Sequence, residues 1–165
     1  MSIHSLCTPR PSVFAADRRA TVLSLDTFLK RQVNGPEFFE ENYFTNGMIT
    51  LVDRAFRQLG GSDAGSSVFL LSQAMGGGKT HSMIALGLLA LDPALRKKVL
   101  GEKDQAPRLG PCRVVGFNGR STDATGGIWG SIAEQLGKAE QFARYVSPLL
   151  NAPGPEAREG GSRGI

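Results

Sequence analysis

Residues 67–83 read SVFLLSQAMGGGKTHSM, and this stretch limits what the rest of the chain can be. Val68, Phe69, Leu70 and Leu71 form a short apolar run with β-branched and aromatic members, which predicts a buried strand of a parallel sheet. Gly76, Gly77 and Gly78 come next, then Lys79 and Thr80, and residues 82–91 continue as an apolar helix. Strand, glycine loop, Lys-Thr and helix is the order that a phosphate-binding loop requires.

The residue types follow from the chemistry of anion binding. Backbone N–H groups converge on an anion only where side chains stay clear and φ is unrestricted, hence glycine. The first turn of the following helix contributes unpaired N–H groups and the positive end of its dipole. The nucleotide-binding set expected from this pattern is Ala74, Met75, Gly76, Gly77, Gly78, Lys79, Thr80 and His81. Lys79 is the catalytic candidate, reaching the β- and γ-phosphates of a nucleoside triphosphate, and the Thr80 hydroxyl is the ligand for Mg²⁺. One position departs from G-x-x-x-x-G-K-[ST]: its first place falls on Gln73. The plainer alternative is a glycine turn between a strand and a helix, with Lys79 solvated; the apolar run before and the apolar helix after it favour the nucleotide site.

With 165 residues, 41% of them hydrophobic and 21% charged, the chain has the composition of one globular domain. A net charge of +4 suits an anionic ligand but is too scattered to define a nucleic-acid face. Cys7 and Cys112 lie far apart without a C-x-x-C or histidine spacing, which predicts neither a disulfide framework nor a metal site and makes a reducing cytoplasm the expected setting. No apolar run approaches bilayer length, and the N-terminus has no secretory core, so no membrane role is expected.

Three units are expected along the chain: residues 1–35, a lead-in in which 21–29 reads as a short strand or an edge helix; residues 36–150, a partial phosphate-loop domain; and residues 151–165, a disordered Gly/Pro-rich tail. Asn34-Gly35-Pro36 breaks the chain, and Pro36 suits the start of a helix that packs Phe38 and Phe39 inward. Thr45 has the position of an N-cap, and Met48, Leu51, Val52, Ala55, Phe56 and Leu59 recur at helical spacing until Gly60-Gly61. Asp92-Pro93 stops one helix and starts a short basic one that carries Arg96, Lys97 and Lys98; Lys97, Lys98 and Arg108 could face a polyanion, and a solvated charge run is the favoured reading. Residues 113–117, with Val114, Val115 and Phe117, read as a second core strand joined to the first by a right-handed crossover. That topology alone would bring Asn118, Arg120 and Asp123 to the ligand edge, with a simple strand-exit turn the favoured role for each. Residues 128–136 and 141–150 read as two further helices, with Trp129 a packing residue. The fold expected from these elements is α/β: a partial three-layer P-loop NTPase sandwich with parallel strands.

Hydrolysis also requires an acidic residue at the end of another buried strand. Asp92 follows the loop's own helix and Asp26 precedes the loop in the chain, so neither fits. Asn118 ends the second predicted strand and carries no charge.

Together the strings QAMGGGKTHSMIAL, EFFEENYFTNGMITLVD and IWGSIAEQLGKAEQFARYV resemble one family, over residues 33–155. It comprises large bacterial and archaeal AAA-type P-loop ATPases encoded beside DNA methyltransferases in restriction or phage-defence clusters. The resemblance implies ATP with Mg²⁺ as the ligand, Gly76, Gly77, Gly78, Lys79 and Thr80 as its site, and DNA or a DNA methyltransferase system as partner. It further implies that this chain corresponds to the N-terminal part of such an ATPase, with the acidic hydrolysis motif beyond it. Oligomers of such proteins complete the site with a neighbour's arginine, for which Arg120 and Arg144 are the candidates. Three other readings stay open: a small phosphotransferase, a non-enzymatic remnant, and a nucleic-acid binder that needs no nucleotide.

Overall fold

A computed structural model of the chain describes residues 7–9, 14, 23–62, 64–72, 74, 76–119 and 126–150, with 146–150 as backbone alone. The regular structure among them is helical: α1 (Leu25–Leu29), α2 (Gly35–Glu41), α3 (Asn46–Leu59), α4 (Lys79–Leu91), α5 (Pro93–Leu100), α6 (Gly127–Gln135) and α7 (Ala139–Leu150). A short 3₁₀ turn, Gly101–Lys103, follows α5. No helix among the described residues is long and apolar enough to cross a membrane. The predicted tail at 151–165 lies outside the described residues.

The predicted α/β sandwich is overturned, because the described residues contain no strand. Residues 68–71 run without regular structure, and Val68 and Leu70 are 82% and 88% exposed where a core strand would bury them. Residues 113–117 have no ladder either. Gly116 bonds instead to the side chain of Gln135 on α6: its N–H donates to Oε1 at 3.0 Å and its carbonyl accepts from Nε2 at 2.8 Å. An apolar run of β-branched residues favours extended backbone, but a strand exists only where a neighbour supplies the ladder, and these two runs do not pair. The crossover topology built on them falls with them.

Helix starts follow local rules. Ser24, Asn34, Thr45 and Asp92 each accept a hydrogen bond from the first turn of α1, α2, α3 and α5, satisfying an N–H that the helix itself leaves unpaired. Residues 25–29 thus take the helical of their two readings. Thr45 Oγ1 accepts from the Met48 N–H at 3.3 Å. The α3 stripe then buries Met48, Leu51, Val52, Ala55 and Phe56, while Leu59, expected on that stripe, is 49% exposed. The Arg57–Asp53 ion pair, 3.0 Å long, lies on the outer face.

At the centre is α4, which packs against α1, α2, α3 and α5. A helix surrounded by others can be apolar on every side, and Ile84, Ala85 and Leu89 are fully buried with Leu88 and Ala90 nearly so. Asp92 closes α4 and opens α5; its Oδ1 accepts from the Ala94 and Leu95 N–H groups at 2.8 and 3.0 Å. Phe38 is buried, and Phe39 is partly buried against it.

Arg96, on the short basic helix α5, is buried. It is 1% exposed. Its Nε donates to Asp104 Oδ2 at 3.0 Å, and Nη2 donates to the carbonyls of Ala106 and Leu109. The guanidinium lies 4.9 Å from the centre of the Phe56 ring, while Nη1 is buried without a hydrogen-bond partner among the described residues. Lys97 and Lys98, in contrast, are exposed.

The contact between α1 and α4 depends on Gly87. A Cβ there would stand 2.9 Å from Phe28 Cε1 and closer still to Cζ. In an open helix Gly→Ala gains up to about 1 kcal/mol. Here Phe28 is itself buried, so Gly87→Ala is expected to cost about 1–3 kcal/mol through overpacking. A urea melt checks the sign, and adding Phe28→Leu is expected to recover part of the loss.

Candidate functional site

Helix α4 starts differently from its neighbours. Its N-cap is Gly78, at φ 76° in the left-handed region, and no side chain caps the end. Gly76 precedes it at φ 81°. An L-residue at either position would carry a strained backbone, which glycine avoids. Before them the chain turns sharply, with the Gly77 N–H donating to the Ala74 carbonyl at 3.1 Å. The result is an exposed loop leading into an open helix N-terminus, a place where N–H groups and the helix dipole favour an anion.

Most of the sequence-derived site residues meet there. Ala74, Gly76, Gly77 and Gly78 are exposed. Lys79 is the first helical residue, and its Nζ donates to the Ala74 carbonyl at 2.9 Å, drawing the side chain back over the loop. Thr80 and His81, both half-buried, complete the first turn. The Thr80 hydroxyl has no hydrogen-bond partner among the described residues, so the group that would ligate Mg²⁺ is available. The His81 ring lies 6.1 Å from that of Phe38 at 32°, which seats it against α2. Ser82 Oγ turns inward to the Gly78 carbonyl, 3.0 Å away. Met75 and Gln73 lie outside the described residues.

The remaining candidates are elsewhere. Asn118 Nδ2 donates to Asp26 Oδ2 at 3.1 Å, tying the end of the second extended run to the first turn of α1. Asp92 is committed to capping α5. Arg144 is exposed on α7. Arg120 and Asp123 lie outside the described residues. Trp129 is half-buried on α6, whose most buried positions are Gly130 and Ala133.

A cavity of about 220 Å³ adjoins the loop. Gly77, Gly78, His81 and Ser82 line it from one side, and Asn42, Tyr43 and Thr45, from the connection between α2 and α3, line it from the other. Sequence reasoning singled out neither Asn42 nor Tyr43. Their one visible signal is the Tyr43-Phe44 aromatic pair that precedes the Thr45 N-cap.

Gly78→Ala tests how far the loop depends on the left-handed turn. A Cβ at Gly78 meets nothing within 4 Å, so the substitution acts through backbone strain of about 1–2 kcal/mol. The expected outcome is weaker anion binding at the loop, measured with inorganic tripolyphosphate, without loss of the helical fold by circular dichroism.

Residues 29–109 match the DUF499 N-terminal domain. The match spans the end of α1 through α5 and the loop that Arg96 holds, and so includes the glycine loop; α6 and α7 lie beyond it. No curated protein and no solved structure matches the chain.

Proposed function

We propose that this chain binds ATP with Mg²⁺ through residues 74–81, using a Walker A-type loop. The observation that carries the reading is the start of α4: a glycine turn in the left-handed region, no side-chain cap, and Lys79 and Thr80 as the first two helical residues. Backbone N–H groups and the helix dipole would hold the phosphates, Lys79 would contact the β- and γ-phosphates, and Thr80 would complete the coordination of a Mg²⁺ that arrives with the nucleotide. The match to the DUF499 N-terminal domain is compatible with the resemblance to ATPases encoded beside DNA methyltransferases. The wider role we infer is therefore ATP-dependent work linked to DNA modification or phage defence.

Binding and hydrolysis separate in this reading. Asp26 and Asp92, the two acids weighed as metal partners, are occupied by Asn118 and by the start of α5. Calorimetric titration of the chain with Mg-ATP, beside a phosphate-release assay, tests the proposal. Saturable binding without release is the expected result, and an absence of binding by the folded chain would refute it.

A further inference from the structure

The cavity beside the glycine loop is too small for a whole ligand. Pockets that enclose a small molecule run from roughly 300 to 1,000 Å³, and this one measures about 220 Å³. It has the size for one flat ring system attached to something held outside it. The loop that forms its wall is the proposed phosphate site, so the attached group is the phosphate chain.

Its lining has a definite chemistry. Tyr43 is 83% exposed and offers an aromatic face for stacking. Asn42 donates through Nδ2 to the Phe38 carbonyl at 2.9 Å. A carbonyl only accepts, so that bond fixes which way the amide is turned; it uses one of the two Nδ2 hydrogens and leaves Oδ1 open as an acceptor for a ligand. Thr45 Oγ1 already accepts from the Met48 N–H, which leaves its hydroxyl hydrogen to be donated. An acceptor, a donor and an aromatic face lining one cavity are the groups that a base presenting an amino group beside a ring nitrogen would use. A keto oxygen in place of the amino group would set two acceptors against each other.

We propose that this cavity is the base subsite of the nucleotide, and that it selects a 6-aminopurine by stacking on Tyr43 and by accepting a hydrogen bond at Asn42 Oδ1. The assignment rests on the reading of residues 74–81 as the phosphate site. The test is calorimetry on the whole chain with the Mg²⁺ complexes of ATP, inosine triphosphate and inorganic tripolyphosphate, repeated for Tyr43→Ala and Tyr43→Phe. Tyr43 is exposed, so neither substitution threatens the core. ATP is expected to bind about tenfold tighter than inosine triphosphate, which carries a keto group at the same position. Tyr43→Ala is expected to weaken ATP by about tenfold and leave tripolyphosphate unchanged, whereas Tyr43→Phe keeps the stacking face and the affinity. Equal affinities for all three probes, or a Tyr43→Ala chain that binds ATP like the parent, would overturn the base subsite and leave the phosphate reading standing. Failure of both ATP and tripolyphosphate to bind the folded chain would remove the phosphate reading and this assignment with it.

Discussion

Lys79→Ala is expected to weaken Mg-ATP binding by more than about tenfold while leaving the fold intact, because it deletes a charge-assisted contact to the β- and γ-phosphates. The side chain is not idle without ligand: its Nζ is bonded to the Ala74 carbonyl. Binding would replace this hydrogen bond to a neutral, exposed carbonyl with one or more to a phosphate. The ammonium is the ionised donor in both bonds, and the phosphate adds an anionic acceptor, so the exchange favours the ligand. In the variant the exposed Ala74 carbonyl still accepts from the Gly77 N–H and is open to water. Calorimetry reads the affinity, and an unchanged urea midpoint separates a lost contact from a damaged domain. Unaltered Mg-ATP affinity in Lys79→Ala would remove the lysine from the site.

The largest stability effect is expected at Arg96. Replacing it with methionine keeps most of the apolar stem but removes the guanidinium from the Asp104 carboxylate, which is 5% exposed and keeps only the Ala106 N–H at Oδ1, and from the carbonyls of Ala106 and Leu109. Breaking a buried ion pair from one side costs about 3–5 kcal/mol, since the remaining charge stays buried without its counter-charge. That is a large part of the roughly 5–15 kcal/mol that holds a domain folded. Adding Asp104→Asn is expected to restore part of the loss by removing that charge, so the two changes are not additive. Urea unfolding of both single variants and the double variant measures the coupling. Simple additivity would mean that Arg96 acts through packing on Phe56 and not through its charge.

The sequence made the helices legible because their signals are local. Thr45, the Asn34-Gly35-Pro36 break and Asp92-Pro93 each act within one turn of chain, and each marks an end in the structure. The glycine loop was legible for the same reason. Strands are different: an apolar run such as 68–71 shows a preference for extended backbone, while the ladder depends on what lies beside it, and Val68 and Leu70 are exposed. The burial of Arg96 is not legible in the sequence, because it sits beside Lys97 and Lys98 and depends on residues 104–109 folding back over α5. The Asn42–Tyr43 face went unnoticed for a similar reason, since it becomes a wall only where the connection between α2 and α3 meets a loop that lies far along the chain.

The two ends of α4 are held very differently. At its C-terminal end the Asp92 N–H bonds to Leu88, the Ala90 carbonyl accepts from Cys112 at 2.8 Å, and Asp92 fixes the start of α5. At the other end stand exposed glycines and a lysine tethered to its own loop. The helix is thus a fixed strut with one adjustable tip. A ligand taken at that tip has to order only a few residues, because the scaffold behind it is already rigid, and the entropy lost on capture is confined to the loop.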